Sequence, residues 1–221
     1  MSGFPKSTAP SGAVVRQWGA PGPNYAAPAT NAIIFPVETL PTGIQLIGIV
    51  CNGSSQNSVS SIAVDGGGTP SRLESAVWNA TDDMEWWLNM GATAGNGTAT
   101  GVLAAGNAWS VTALEIYPAT NLTVGIGSKA AGISATPSIT ITPAAAGDLI
   151  VAMIVCANTI TGFTSTQPPF NDMNGTSHLL PWAFPNSQDI AWIVAPSTAP
   201  VTFTWTQVSG VFQIIAVDLT T

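Results

Sequence analysis

Ile44–Cys51 reads IQLIGIVC, and Leu149–Cys156 reads LIVAMIVC. Both are short apolar runs that end on a cysteine, and each is followed by two further matching blocks. Asp83–Leu88 (DMEWWL) returns as Asp189–Val194 (DIAWIV), and Trp109–Ile116 (WSVTALEI) returns as Phe212–Leu219 (FQIIAVDL). Three blocks in one order, with drifting gaps, are the mark of one structural unit present twice. The matches set Cys51 against Cys156, Trp86 against Trp192 and Glu115 against Asp218.

Working outward from these blocks, apolar and β-branched segments alternate with Gly, Asn, Ser and Pro. Val14–Trp18, Ala32–Val37, Ile44–Cys51, Val59–Val64, Arg72–Ala80, Asp83–Met90, Thr98–Leu103 and Trp109–Tyr117 read as strands. The second copy reads Leu122–Ile126, Ser138–Thr142, Leu149–Cys156, Thr159–Thr164, His178–Leu180, Asp189–Ala195, Val201–Trp205 and Val211–Leu219. No long window carries a helical period with helix-favouring residues. The expectation is an all-β chain of two tandem jelly-roll-like β-sandwich domains, residues 13–119 and 120–221, behind an extended N-terminal arm, residues 1–12. Ala20–Thr30 (APGPNYAAPAT) is an extended Pro/Ala linker that cannot be helical.

Side-chain alternation assigns faces. Met84, Trp86, Leu88 and Met90 share one side of their strand, and Glu85, Trp87 and Asn89 the other. The closing strands are apolar on both sides: Val111 and Ala113 oppose Thr112 and Leu114, and Ile214 and Ala216 oppose Ile215 and Val217. Strands of that kind are central, with the second face covered by a loop, the other domain or a partner.

Composition narrows the function. The 221 residues carry a net charge of −7, and only 7% of them are charged. Ser, Thr, Asn and Gly must therefore form the solvent surface, which suits a protein held in an assembly. Lys6, Arg16, Arg72 and Lys129 are too few and too scattered to bind nucleic acid. Leu149–Ala157, the longest apolar stretch, is too short for a spanning helix, and two tyrosines cannot furnish the girdles of an outer-membrane barrel. No membrane partner is expected. The opening MSGFPKSTAPSG has no apolar core of a secretory signal, so synthesis in a cytoplasm without export is expected. Cys51 and Cys156 then read as buried free thiols. The N-x-S/T triplets at Asn52, Asn79, Asn96, Asn121 and Asn174 carry no meaning without export.

Catalytic constellations are missing from the sequence. His178 is the sole histidine and has no nucleophile motif near it. One histidine and two remote cysteines cannot make a zinc site. Asp82, Asp83 and Glu85 could hold calcium but read as solvated acids at a strand start. Glu115 and Asp218 are a carboxylate pair, yet each repeats one structural role in its own copy. Asp65-Gly66-Gly67-Gly68 is a turn. We expect no enzyme activity, no catalytic residue, no cofactor and no metal. Trp87 is the misplaced tryptophan, since it shares a face with Glu85 and Asn89. These three residues, with Trp18 beside the arm, form the expected interface.

The stretch TPSITITPAAAGDLIVAMIVCA at Thr136–Ala157 resembles the opening of a β-sandwich module common in bacteriophage virion proteins, in which a T-V-T-L-P-A-G-x-x-A-G-D-L-L-V pattern leads into the first long core strand. The closing pattern of that module, a Trp followed by V-T-x-T-x-S-G and an acidic position, is matched loosely by Trp192–Leu219 and again by Trp86–Tyr117. The resemblance covers roughly residues 14 to 219. The first copy departs from it, because Thr42-Gly43-Ile44 replaces the Ala-Gly-Asp run. The resemblance implies a virion structural role on the capsid surface. A capsid decoration (cement) protein is preferred, with the major capsid protein as partner and a dimer or trimer as its own assembly. A tail- or fibre-associated carbohydrate- or receptor-binding module is the alternative.

Overall fold

The structure is a computed structural model that describes residues 14–19, 30–34, 44–51, 59–64, 68–78, 82–90, 98–103, 109–117, 122–125, 127–167, 171–172 and 187–220. The arm, most of the Pro/Ala linker and His178–Leu180 lie outside them. Among the described residues every element is a strand. The first group is β1 (Val14–Gly19), β2 (Thr30–Ile34), β3 (Ile44–Cys51), β4 (Val59–Val64), β5 (Ser71–Trp78), β6 (Asp82–Asn89), β7 (Thr98–Leu103) and β8 (Trp109–Tyr117). The second is β9 (Thr123–Val124), β10 (Ser128–Ser134), β11 (Ser138–Ile141), β12 (Leu149–Cys156), β13 (Ile160–Ser165), β14 (Asn171–Asp172), β15 (Ser187–Val194), β16 (Val201–Gln207) and β17 (Gly210–Thr220). Among the described residues no helix is long and apolar enough to cross a membrane.

All strand pairs are antiparallel. The first group makes a large sheet ordered β1-β8-β3-β6-β5 and a small one ordered β2-β7-β4. The second makes a large sheet ordered β10-β17-β12-β15-β14, with β9 also on β17, and a small one ordered β11-β16-β13. The two orders correspond strand for strand, β1 with β10 through β8 with β17. Strand β10 (SKAAGIS) replaces the expected Leu122–Ile126 as the counterpart of β1. Its Ala, Gly and Ser give no apolar alternation, so its strand character comes from its ladder with β17, which runs from Ser128↔Ala216 to Ser134↔Gly210.

Three apolar clusters fix the layering. Ile47, Ile49, Trp87 and Ala113 of the first large sheet pack with Val59 and Ile62 of β4. Ile150, Ile154, Ile193 and Ile214 of the second large sheet pack with Ile139, Phe203 and Trp205 of the second small sheet. The third cluster joins the two large sheets: Ile44, Leu46, Trp86 and Leu114 meet Val151, Met153, Trp192, Ile215 and Val217. The order of layers is small, large, large, small. Both faces of each large sheet are therefore buried, which is why their central strands are apolar on both sides.

Gly48 marks a close approach between the large sheets. A Cβ built on it would lie 2.8 Å from Met153 Sδ and 2.9 Å from the Trp86 ring. Beside it, Trp86 Nε1 donates to Ile215 O across the two sheets (3.2 Å), so the indole is buried without an orphan donor. A polar tie runs along the same seam: Lys129 Nζ donates to Ser75 O (2.6 Å) and forms an ion pair with Glu74.

The pairing registers test the sequence equivalences. With Ile44–Cys51 laid on Leu149–Cys156, the ladders Gln45↔Glu115 and Ile150↔Asp218 carry Glu115 onto Asp218, as expected. The tryptophans do not follow. Gly48↔Trp86 and Met153↔Ile190 carry Trp86 onto Ile190, while Leu46↔Leu88 and Val151↔Trp192 carry Leu88 onto Trp192. Matching tryptophan to tryptophan misplaces this strand by two residues, a shift that preserves the face and so leaves both rings in the shared core.

Cys156 is a free thiol, and the chain has two cysteines, so there is no bridge to Cys51 within it. Burial pushes the Cys156 thiol up to about 12. A thiol reagent at neutral pH should therefore fail to modify Cys156 in the folded chain and modify it promptly after denaturation. Gly48→Ala should destabilise the fold by about 1–3 kcal/mol, because the added methyl overpacks the seam. Chemical denaturation of Gly48→Ala, Met153→Ala and the double variant should give a favourable coupling, since the shortened Met153 vacates the space the methyl needs.

Candidate functional site

Strand β6 carries most of the side chains from which an interface is expected. Alternation puts Glu85, Trp87 and Asn89 on the face away from the second large sheet, and the first small sheet covers that face. Trp87 is 7% exposed, and Glu85 and Asn89 are fully buried. The expected exposed patch at these three residues is therefore corrected. The alternation was read properly, but both sides of β6 are interior. Trp18 lies on edge strand β1 and pairs with Leu114 through its backbone.

The buried carboxylate of Glu85 organises its surroundings. Arg72 Nε (2.7 Å) and Trp87 Nε1 (2.6 Å) both donate to Oε2, and the Val59 amide donates to Oε1 (3.1 Å). Arg72 also donates through Nη2 to Val59 O (2.6 Å), and its guanidinium lies 4.7 Å from the centre of the Trp87 ring. Strand β5 pairs with β6 and not with β4, so Arg72 closes by side chain a gap that has no backbone ladder. Three donors on one carboxylate satisfy both of its buried oxygens. They also leave Glu85 committed, so the calcium arrangement of Asp82, Asp83 and Glu85 loses its strongest member. Asn89 is held by the second polar pair on this face, donating through Nδ2 to Gln45 Oε1 (3.1 Å). Gly68 (φ 95°) packs against the Asn89 amide; Asp65, Gly66 and Gly67 of the expected turn lie outside the described residues.

The second copy has a counterpart that the sequence did not reveal. The ladders Ile49↔Glu85 and Ile154↔Asp189 carry Glu85 onto Asp189. Asp189 is also fully buried, and its Oδ2 accepts from Trp205 Nε1 (2.8 Å). Trp205 packs with Phe163 and Phe203, with ring centres 5.1 and 6.1 Å away. Each copy thus spends one interior acid on an indole N–H, through a different tryptophan. The signal available in the sequence was an acid placed among apolar residues of a central strand.

One open face among the described residues is uncharged. The outer face of the second small sheet carries Ser138 and Thr140 of β11, Thr202 and Thr204 of β16, and Thr164 of β13, aligned by the ladders Ser138↔Thr204, Thr140↔Thr202 and Thr164↔Thr204. Their inward neighbours Ile139, Ile141, Phe203 and Trp205 are buried. The hydroxyls of Thr140 and Thr202 bond to each other (2.8 Å). At the end where β10 stops and β16 turns into β17, Ile133 and Val208 are 75% and 73% exposed. Among the described residues no group of three or more His, Cys, Asp or Glu could hold a metal ion. Glu115 and Asp218 lie in different large sheets and face no common cleft.

No protein-family profile and no curated protein matches the chain. One solved structure to which it is similar is the crystal structure of the major capsid protein P2 from bacteriophage PM2. The match has a TM-score of 0.31 and 11% sequence identity, and covers 94% of this chain and 97% of that one.

Removing Arg72 leaves the Glu85 carboxylate buried and under-compensated. Arg72→Met should cost about 2–3 kcal/mol, less than for a fully buried pair because the Arg72 side chain is 29% exposed. Adding Glu85→Gln removes the stranded charge and keeps one acceptor for Trp87 or Val59. Urea unfolding should show the double variant at least as stable as Arg72→Met alone.

Proposed function

We propose that the chain is a non-enzymatic structural protein of a bacteriophage virion, and within that role a decoration protein attached to a capsid lattice. The proposal takes residues 13–119 and 120–221 as tandem jelly rolls. Counting from β1 in one and from β10 in the other, the first, eighth, third and sixth strands form one sheet and the second, seventh and fourth the other. The fifth strand lies on the edge of the large sheet.

The observation that carries the reading is the shared core between the large sheets. Two sandwiches fused through their broad apolar faces make one stiff tile. The resemblance of Thr136–Ala157 to the virion module supplies the setting. An outer sheet of hydroxyl side chains, in a chain of net charge −7, avoids the cost of desolvating charge on close contact. The attachment surface in this reading comprises the arm, edge strand β1 with Trp18, and the hydroxyl face of the second small sheet. The partner is a major capsid protein.

The test adds purified protein to undecorated capsids and follows co-sedimentation and capsid melting. Binding with a raised capsid melting temperature is expected. Deletion of residues 1–12, Trp18→Ala, or the paired change Thr140→Lys and Thr204→Lys should each weaken attachment about tenfold or more while leaving the isolated fold intact. Closed shells formed by the protein alone would make it a shell subunit instead. Binding to host glycans without binding to capsids would transfer it to a tail-associated receptor role.

A further inference from the structure

Asp148 and Asp218 meet at the end of the second sandwich where the chain passes from the small sheet into β12. Both residues are 2% exposed. The Ala145 amide donates to Asp148 Oδ2 (2.6 Å), and the Ala144 amide donates to Asp218 Oδ2 (3.0 Å). Amide nitrogens of consecutive residues are close neighbours, so the two carboxyl groups that capture them are held side by side. Asp218 Oδ1 is buried and has no hydrogen-bond partner.

No cation offsets this pair among the described residues. Arg72 is committed to Glu85, and Lys129 to Glu74. The segments packed around the two acids are the 142–148 turn, Thr123–Gly125, β11, β12 and residues 195–200 after β15. Apart from Asp148 and Asp218, none of them places a titratable group at this end of the sheet. Cys156 stands at the far end of β12. Two carboxylates in contact and out of water cannot both be ionised without a large penalty.

The turn is also docked by the buried Pro143 and by backbone hydrogen bonds. Gly147 donates to Ala195 O (2.8 Å), Ala195 donates to Asp148 O (2.8 Å), and Gly147 adopts φ 98°, which favours glycine. The carboxyl pair is what fastens this turn to β17, and Gly125, donating to Asp218 O (2.7 Å), extends the fastening to the segment beside β9.

We propose that Asp148 and Asp218 share one proton, and that this proton latches the 142–148 turn to the C-terminal strand and releases it as pH rises. Burial and the neighbouring Asp148 both push the Asp218 carboxyl above its ordinary value of 3.8, against the opposing Ala144 hydrogen bond. The sign follows from linkage. A carboxyl raised on folding contributes stability that is fully present below 3.8 and is lost as pH climbs through the raised folded value. The device therefore closes in acid and loosens toward neutrality, opposite to a salt-bridged carboxylate.

The experiment uses the full chain in chelator and measures amide exchange at Ala144 and Ala145, corrected for intrinsic rates, from about pH 4 to about pH 8. Protection should fall about tenfold or more with rising pH. In Asp218→Asn, which keeps an acceptor for Ala144 and has no proton to lose, it should stay level. An unchanged slope in that variant, or a level profile in the parent, overturns the proposal. So does calcium restoring protection at about pH 8, because the pair would then be a cation site. If Asp218→Asn does not fold, carbon NMR of the parent decides. One carboxyl titrating above about pH 5 sustains the latch, and two ordinary carboxylate titrations end it.

Discussion

The contact between the two large sheets is the constraint on which the rest of the molecule depends. It forces β3, β6 and β8, and their counterparts β12, β15 and β17, to be buried on both faces. It confines the small sheets to the outside, where one face is packed and the other wet. It also sets the size of residues at the seam. Gly48 and Met153 are equivalent positions of the two copies that touch each other, and one is empty because the other is long. An exact repeat would have placed two methionines or two glycines there, giving a clash or a void. The divergence of the copies at this position is a packing requirement.

Interior polarity follows from the same constraint. A strand buried on both sides has nowhere to send a polar side chain, so several of these groups are matched inside. Glu85 takes three donors, Asp189 takes the Trp205 indole, and Asn89 takes Gln45. Both described cations, Arg72 and Lys129, are ion-paired to acids of β5 and β6. With 7% charged residues, charge in this chain serves as internal fastening, and hydroxyl groups serve as surface.

The strand content, the matching strand orders of the two groups and the corresponding ladder positions of Glu115 and Asp218 were legible because apolar period and block order are local signals. The location of the core was not. Alternation divides β6 into a Trp86 face and a Trp87 face but cannot say how many layers stand on each, and a Glu beside Trp87 argued for water. The residue that reverses that inference is Arg72, which is distant in sequence and neutralises the acid only after β5 is laid beside β6. Strand β10 escaped notice because Ala, Gly and Ser have little strand preference of their own. The two-residue slip between Trp86 and Trp192 arose from matching side-chain identity, whereas the fold conserves the position of the buried acid. The Asp148–Asp218 contact joins residues far apart in the chain, and only the folded turn shows it.

The shared core also has a consequence during synthesis. Trp86 reaches its acceptor only when Ile215 exists, 129 residues later. Until then the first large sheet has a small sheet on one side and nothing on the other, so a nascent chain displays a broad apolar strand surface for most of its time on the ribosome. At roughly 5–20 residues per second this lasts several seconds, long enough to meet another such chain. The same surface on a released fragment would be an invitation to aggregate. Folding thus depends on the second half of each chain arriving before its neighbours do, which makes translation rate and chaperone supply part of what this fold requires.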